Sequence, residues 1–340
     1  MSDVVPNRWL ADAPEFEDAV RAAADYHGML PDLVRKDYWV TRVLRAIAAD
    51  AAHSGQVLFK GGTSLSKGWR LIDRFSEDID LLLTGPAFGP PPQSKKARER
   101  QFRALQARVE AETPLRLPDK EALSEDLWRF YYFRGSYHCN IRYPLPGHRA
   151  NPIGPNTDWL LVESGFRGGV QPHARRPLSS LIAEFVERQP AAISTRLEEF
   201  STDLESFEMN LLKPERTFAE KLLGLHEKML KGDDGARDVR TRHYYDLAQL
   251  YRRSEDVREC LASGAFLPLV REAVEVSNTY WSAGLDADTL DLRRSPALQP
   301  TSTQVRLLKS SYEGERALYY RDTVAFDEIL AVMRAISDVL

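Results

Sequence analysis

An α+β fold in two lobes is what this sequence predicts, and three observations carry the prediction. Residues 57–83, VLFKGGTSLSKGWRLIDRFSEDIDLLL, read as strand, Gly-Gly turn, short helix and second strand. Residues 128–143 alternate aromatic and polar side chains around Gly135-Ser136, as a β-hairpin does. From residue 254 onward the apolar spacing is helical throughout. At 340 residues the chain exceeds the usual length of one domain. The expected division is a core over residues 1–190, including the N-terminal helices, and a mainly helical lobe over residues 191–340.

Taken in order, amphipathic spacing predicts helices over 14–27 and 31–50 that pack on the first strand. Val57, Leu58 and Phe59 form an apolar run long enough for a buried strand and too short for a helix. Gly61 and Gly62 permit a turn that a side chain would obstruct. Thr63 is the expected cap of the next helix, whose Leu65, Trp69 and Ile72 fall at i, i+4 and i+7. Thr84 to Ser94, rich in Gly and Pro, reads as a loop before a basic helix at about 95–112. After the hairpin come a polar loop from Gly147 to Asp158, a strand from Trp159 to Ser164, and a helix from Ser180 to Gln189 at the lobe boundary. Phe207 to Leu212 reads as a short strand. Thr217 and Glu220 match a capping box, which would set Lys221 in the first turn of the helix that follows. Asp246 falls in a second helix with Leu247, Leu250 and Tyr251 as its apolar face. Further helices are expected at 254–263, 265–281, 310–322 and 325–339.

Several of these positions bear on chemistry. The free N–H groups at a helix start attract phosphate, so the Gly61-Gly62-Thr63 turn is a candidate cradle as well as an ordinary strand-to-helix turn. Alternation on the second strand puts Asp78 and Asp80 on one face, with Glu77, Ile79 and Leu81 on the other. Two aspartates on one strand face repel each other unless a cation lies between them, and Mg²⁺ is commonly held by one or two carboxylates plus substrate phosphates. The competing reading is a solvated edge strand. A lysine in a helix first turn opposes the helix dipole, which suits Lys221 to an anionic partner, although a solvated lysine fits as well. Asp246 could form a surface ion pair with Arg242 at i−4. Glu163, on the strand beginning at Trp159, is a candidate third carboxylate that would deprotonate an acceptor hydroxyl.

Composition sets outer limits. Hydrophobic residues make up 43% and charged residues 28%, values of a soluble globular chain, and no apolar run approaches a membrane span. The start, MSDVVPNRW, lacks the regions of a secretory signal. Cys139 and Cys260 are too few for a disulfide scaffold or a zinc pattern. These features point to a cytoplasmic protein. A net charge of −4 gives no bulk attraction to nucleic acid. Contact with RNA would depend on local patches: Lys95 to Arg108, Arg167 to Arg176, and Lys228 to His243.

Two blocks carry a resemblance. Lys60-Gly-Gly-Thr-Ser-Leu65 with Arg74-Phe-Ser-Glu-Asp-Ile-Asp-Leu81, and Pro214-Glu-Arg-Thr-Phe-Ala-Glu-Lys-Leu222 with Arg242-His-Tyr-Tyr-Asp-Leu247, resemble the AbiEii-type nucleotidyltransferases. These are the toxins of type IV toxin–antitoxin systems and include the mycobacterial MenT toxins. Weaker echoes lie at Lys36-Asp37-Tyr38-Trp39 and around Tyr312 and Phe326. The resemblance implies a DNA polymerase β-like core with a mixed sheet, followed by a helical lobe that completes the active site. It implies an enzyme that moves NMP from an NTP to an RNA acceptor, with the tRNA 3′ end foremost and a protein hydroxyl as the rival acceptor. A non-catalytic nucleotide sensor is the rival outside enzymes, and a cognate antitoxin is the implied protein partner. By the same resemblance Asp78 and Asp80 bind Mg²⁺ or Mn²⁺, Gly61, Gly62, Thr63 and Ser76 hold the nucleotide, and Lys221 and Asp246 complete the site. His243 departs from the family pattern, where an acidic residue is common.

Overall fold

A computed structural model of the chain describes residues 9–76, 78–146, 158–189, 197–281, 284–320 and 324–340. Seven strands form one sheet: β1 (Val57–Lys60), β2 (Asp78–Leu83), β3 (Tyr132–Arg134), β4 (His138–Pro144), β5 (Trp159–Gly165), β6 (His173–Leu178) and β7 (Phe207–Leu212). Their order is β3-β4-β5-β2-β1-β7-β6. The sheet is mixed, since β1 runs parallel to β7 with Phe59 opposite Leu211, and β3 runs antiparallel to β4 with Tyr132 opposite Ile141. The α+β class, the mixed sheet and the helical C-terminal region expected from the sequence are therefore present.

The chain forms two compact units that interleave along the sequence: residues 1–57, 77–164 and 175–210, and residues 58–76, 165–174 and 211–340. In the first, α1 (Phe16–His27), α2 (Pro31–Ala48), α3 (Ala51–Ser54), α5 (Lys95–Glu112), α6 (Glu125–Tyr131), α7 (Leu181–Glu187) and α8 (Ser201–Leu204) accompany the strands. Helix α2 packs against α1, α5 and α7 and buries Leu33, Val34, Val43, Leu44 and Ile47. The echo at Lys36 to Trp39 is part of this interior. Asp37 accepts the Leu181 N–H at 2.8 Å, and the Tyr38 hydroxyl donates to Asp203 at 2.5 Å.

The second unit holds α4 (Gly61–Lys67), α9 (Pro214–Met229), α10 (Gly232–Asp238), α11 (Arg242–Arg253), α12 (Glu255–Ala262), α13 (Phe266–Trp281), α14 (Ser302–Gly314) and α15 (Phe326–Val339). Its core gathers Leu65 and Ile72 with Phe218, Leu222, Leu225, Leu247, Leu250, Ile329 and Met333. Helix α9 packs on α13, and α11 on α15. The Tyr312 and Phe326 rings lie 5.3 Å apart within it. No helix among the described residues is long and apolar enough to cross a membrane.

Four elements depart from the sequence expectation. The first arm of the hairpin is helical to Tyr131, because Ser124 caps α6 through the Leu127 N–H and Glu125 and Asp126 suit its first turn. The helix expected at 310–322 instead spans Ser302–Gly314. Thr301 and Gln304 form a reciprocal capping box that fixes its start. Helix α4 stops at Lys67, before Trp69 and Ile72, and Arg70 takes a left-handed φ of 54°. Helix α9 begins at Pro214, not beyond Thr217: proline has no N–H to leave unsatisfied and its φ suits a helix start. The polar loop falls, over residues 147–157, outside the described residues, as does Glu77.

Candidate active site

The second unit gathers most of the expected site residues. β1 ends at Lys60 in extended backbone, and Gly61 opens α4 with φ of 78°, a conformation that any side chain would strain. Gly62 is required for a different reason. A Cβ there would lie 2.7 Å from Ser76 Oγ and 2.8 Å from an Arg74 guanidinium nitrogen. The two glycines thus turn the chain and let Ser76 and Arg74 close on the turn. Thr63 is not the helix cap. It stands inside α4, and its hydroxyl donates to the Ser76 carbonyl at 3.3 Å, tying the helix to the segment before β2.

Arg74, which sequence reasoning did not single out, organises the next layer. Its side chain is 2% exposed, and it donates through Nε and Nη2 to the two oxygens of Asp246, both at 2.7 Å. Its backbone is fixed as well: Arg74 bridges Tyr319, and the Phe75 N–H donates to Leu318 at 2.7 Å. Tyr245, one residue before Asp246, accepts the Asp73 N–H at 3.1 Å. Asp246 is fully buried and its second oxygen also meets the Lys221 ammonium at 3.0 Å. The alternative reading of Asp246, a surface pair with Arg242, gives way to this buried network. Burial by itself would raise the Asp246 carboxyl, but Arg74 and Lys221 outweigh it and hold the group well below the ordinary carboxylate range.

Lys221 is the eighth residue of α9, so the first-turn dipole argument does not apply to it. The supposed capping box is absent too. Thr217 Oγ1 is buried without a hydrogen-bond partner, and Glu220 binds Lys60 at 3.3 Å and Arg216 at 3.0 Å. At Asp246 two cations, Arg74 and Lys221, meet one carboxylate. His243 adds none near neutral pH, since burial and the nearby Lys221 push its pKa well below the usual value.

In the first unit, Asp78 and Asp80 are both half-buried on β2 while Ile79 and Leu81 are buried, so the two carboxylates share a face as expected. Hard oxygen donors at alternate positions of one strand fit a divalent cation that takes its remaining ligands from phosphate and water. Glu163 is half-buried on β5 and accepts from Asn140 Nδ2 at 3.1 Å. Among the described residues, no three His, Cys, Asp or Glu side chains gather where they could share a metal. Of the basic patches, Lys95, Lys96 and Arg100 are exposed on α5, but Arg98 is not free for a ligand. It is buried, donates to Pro92, Gln93 and Ser136 carbonyls, and lies over the Tyr137 ring at 4.2 Å.

The glycine turn held against Ser76 and the Arg–Asp–Lys network of the second unit, and the same-face aspartate pair of the first, are groups that could serve an enzyme that handles nucleoside triphosphates. The family comparison agrees: the model for the nucleotidyl transferase AbiEii toxin family of type IV toxin–antitoxin systems matches residues 42–331, and the chain belongs to that family. Its members are nucleotidyltransferases. Among solved structures the chain is similar to MenT4, a nucleotidyltransferase toxin from Mycobacterium tuberculosis H37Rv, at 16% identity and a TM-score of 0.46, over 94% of this chain and 96% of that one. No curated protein matches by sequence.

Proposed function

We propose that this protein is a metal-dependent toxin that transfers NMP from an NTP to an RNA acceptor, the 3′ end of tRNA, in the cytoplasm, under the control of a cognate antitoxin. The observation that carries the reading is the Asp78–Asp80 pair, half-buried on one face of β2 in a member of a nucleotidyltransferase family. In this reading Asp78 and Asp80 hold Mg²⁺ or Mn²⁺, which when bound neutralises charge on the phosphates and lowers the pKa of the attacking hydroxyl. The acceptor hydroxyl gives up its proton to water, its oxygen bonds to the α-phosphorus, and the bond from that phosphorus to the β-phosphate oxygen breaks, releasing pyrophosphate. Backbone N–H groups of Gly61, Gly62 and Thr63, together with Ser76, orient the triphosphate. Lys221 presents its ammonium to the same anion, and Asp246 holds Lys221 and Arg74 in place. The nucleotidyltransfer core is assigned to residues 1–190 and the completing lobe to residues 191–340, a division by role and not by compactness.

The test is direct. Purified protein is incubated with total RNA and each α-labelled NTP, with and without Mg²⁺. Label on tRNA that depends on the metal is the expected result. Label on a protein in place of RNA would move the acceptor to a protein hydroxyl. Absence of transfer to either with all four NTPs would leave only nucleotide binding.

A further inference from the structure

Helix α9 lines a cavity of about 370 Å³ within the second unit. Arg216, Glu220, Gly224 and Glu227 recur at helical spacing, so a single stripe of α9 faces it, and Lys60 and Arg167 complete the polar lining. Leu223, Ala273 and Val276 supply apolar wall. Lys221 lies off this stripe with its ammonium on Asp246, so cavity and network use different faces of one helix.

Two polar groups of the lining lack partners. Arg216 is fully buried; its Nε donates to Glu220 at 3.0 Å and its Nη1 to Glu272 at 2.6 Å, but Nη2 has no hydrogen-bond partner among the described residues. Glu227 Oε1 is buried and equally without a partner. Buried polar atoms of native proteins are nearly always satisfied, so an unfilled donor and an unfilled acceptor on two residues of one lining point to a ligand that offers both. The charges argue against a bare phosphate. Lys60, Arg167 and Arg216 stand against Glu220, Glu227 and Glu272, and a further anion would unbalance the set.

Two glycines shape the space. A Cβ on Gly169 would lie 2.1 Å from Arg216 Nη2, so only glycine lets that loop rest on the guanidinium. A Cβ on Gly224 would meet nothing within 4 Å. A glycine in a helix interior is unfavourable, and here it borders open cavity.

We propose that this cavity is a nucleobase-recognition pocket, in which Arg216 and Glu227 read the polar edge of a base; the proposal rests on the nucleotidyl-transfer reading above. Arginine and carboxylate side chains are the ones that pair with base acceptors and exocyclic amino groups. Guanidinium planes also stack on bases, and that of Arg167 lies 5.6 Å from the centroid of the Tyr280 ring. The base belongs either to the incoming NTP or to the 3′-terminal nucleotide of the acceptor. A carboxylate only accepts; uracil offers it a single N3–H flanked by two carbonyl oxygens that repel it, so a base with an exocyclic amino group is favoured over uracil.

The test measures calorimetric binding of ATP, GTP, CTP and UTP, and of oligoribonucleotides that differ only in the 3′ base. It uses the full chain, Glu227→Gln, Gly224→Leu and Gly224→Ala. The wild type should prefer an amino-bearing base over uracil about tenfold in one arm, in line with one hydrogen bond to a charged group. Glu227→Gln and Gly224→Leu should level that preference, and Gly224→Ala, which adds a methyl into open space, should keep it. Preference among triphosphates assigns the pocket to the incoming nucleotide; preference among oligonucleotides assigns it to the acceptor. Equal binding of all bases in both arms, or a preference that survives both variants, overturns the proposal. If Gly224→Leu fails to fold, Glu227→Gln alone decides. No transfer is needed for this readout, so intact selectivity without transfer sinks the proposed function and leaves the pocket. Transfer without selectivity does the reverse.

Discussion

Asp246→Asn should destabilise the protein by about 3 kcal/mol at neutral pH. The carboxylate is fully buried, accepts two hydrogen bonds of 2.7 Å from Arg74, and meets Lys221 at 3.0 Å. Removing one partner of a buried ion pair typically costs about 3–5 kcal/mol, because the other charge stays buried and uncompensated. The lower end applies because the amide oxygen keeps one acceptor, and Arg74 keeps its bond to the Phe75 carbonyl at 3.1 Å. Urea unfolding followed by circular dichroism gives the difference. Its pH dependence has a definite sign. The folded carboxyl is depressed, so its stabilisation is present above the unfolded pKa of about 4 and fades as pH falls further toward the folded value. The gap between wild type and variant should therefore narrow between pH 5 and pH 3 (roughly the window set by a depressed carboxylate). A second arm replaces both charges: Arg74→Met with Asp246→Leu should recover part of the loss. A variant within about 1 kcal/mol of wild type, or a gap that widens in acid, would refute the account of Asp246 as the anchor of a buried network.

Asp78→Ala and Asp80→Ala should each abolish NMP incorporation; near-wild-type transfer with Mg²⁺ would end the two-carboxylate mechanism. Lys221→Ala should lower kcat by at least about tenfold yet cost far less stability than Asp246→Asn, because the bidentate Arg74 pair survives it. Gly62→Ala should destabilise by about 1–3 kcal/mol, as the added carbon meets a guanidinium that Asp246 prevents from moving, and thermal melting checks this. Reversing exposed Lys95, Lys96 and Arg100 to glutamate should weaken tRNA transfer and flatten its salt dependence, while NTP affinity is unchanged; Arg98 is left alone because its bonds hold the loop before α5. An unaltered salt slope would remove that helix from the acceptor surface.

The parts of the fold that depend on near neighbours were legible in the sequence. Periodicity located α1, α2, α5 and most C-terminal helices to within a few residues, because burial of one helix face is written at a spacing of three and four. The errors sit where a local competitor decided: Ser124 over strand propensity, Thr301 with Gln304 over the weaker pattern downstream, Pro214 over Thr217. The capping signals at Ser124 and Thr301 were present and could have been read. The site divides along the same line. The alternation of Asp78 and Asp80 and the need for glycine at 61 follow from a strand and a turn, whereas the need for glycine at 62 comes from the approach of Ser76 and Arg74. The pairing of Arg74 with Asp246 spans 172 residues, and no spacing rule reaches that far. Arg216 and Glu220 were hidden for another reason: an arginine and a glutamate four apart on a helix look like a surface pair, and it is tertiary packing, α13 against α9 and the loop at Gly169 against the guanidinium, that covers the arginine.

Why such a network is buried at all follows from what each partner could do alone. A buried ion pair is a poor source of stability, since apolar residues of equal volume often serve as well. A lysine at the surface keeps its charge but spreads it over many rotamers, and it must give up that freedom each time it meets an anion. With Asp246 fixed by Arg74, and Arg74 fixed by its own backbone bridge to Tyr319, the Lys221 ammonium is ordered before any ligand arrives. The ordering entropy is then met once, during folding. A charge aimed in advance contributes most when negative charge grows on a phosphate in the transition state, because little reorganisation is left to do. Under the role proposed for Lys221, any contribution of Asp246 to transfer runs through it, and combining Asp246→Asn with Lys221→Ala should slow transfer little more than Lys221→Ala alone.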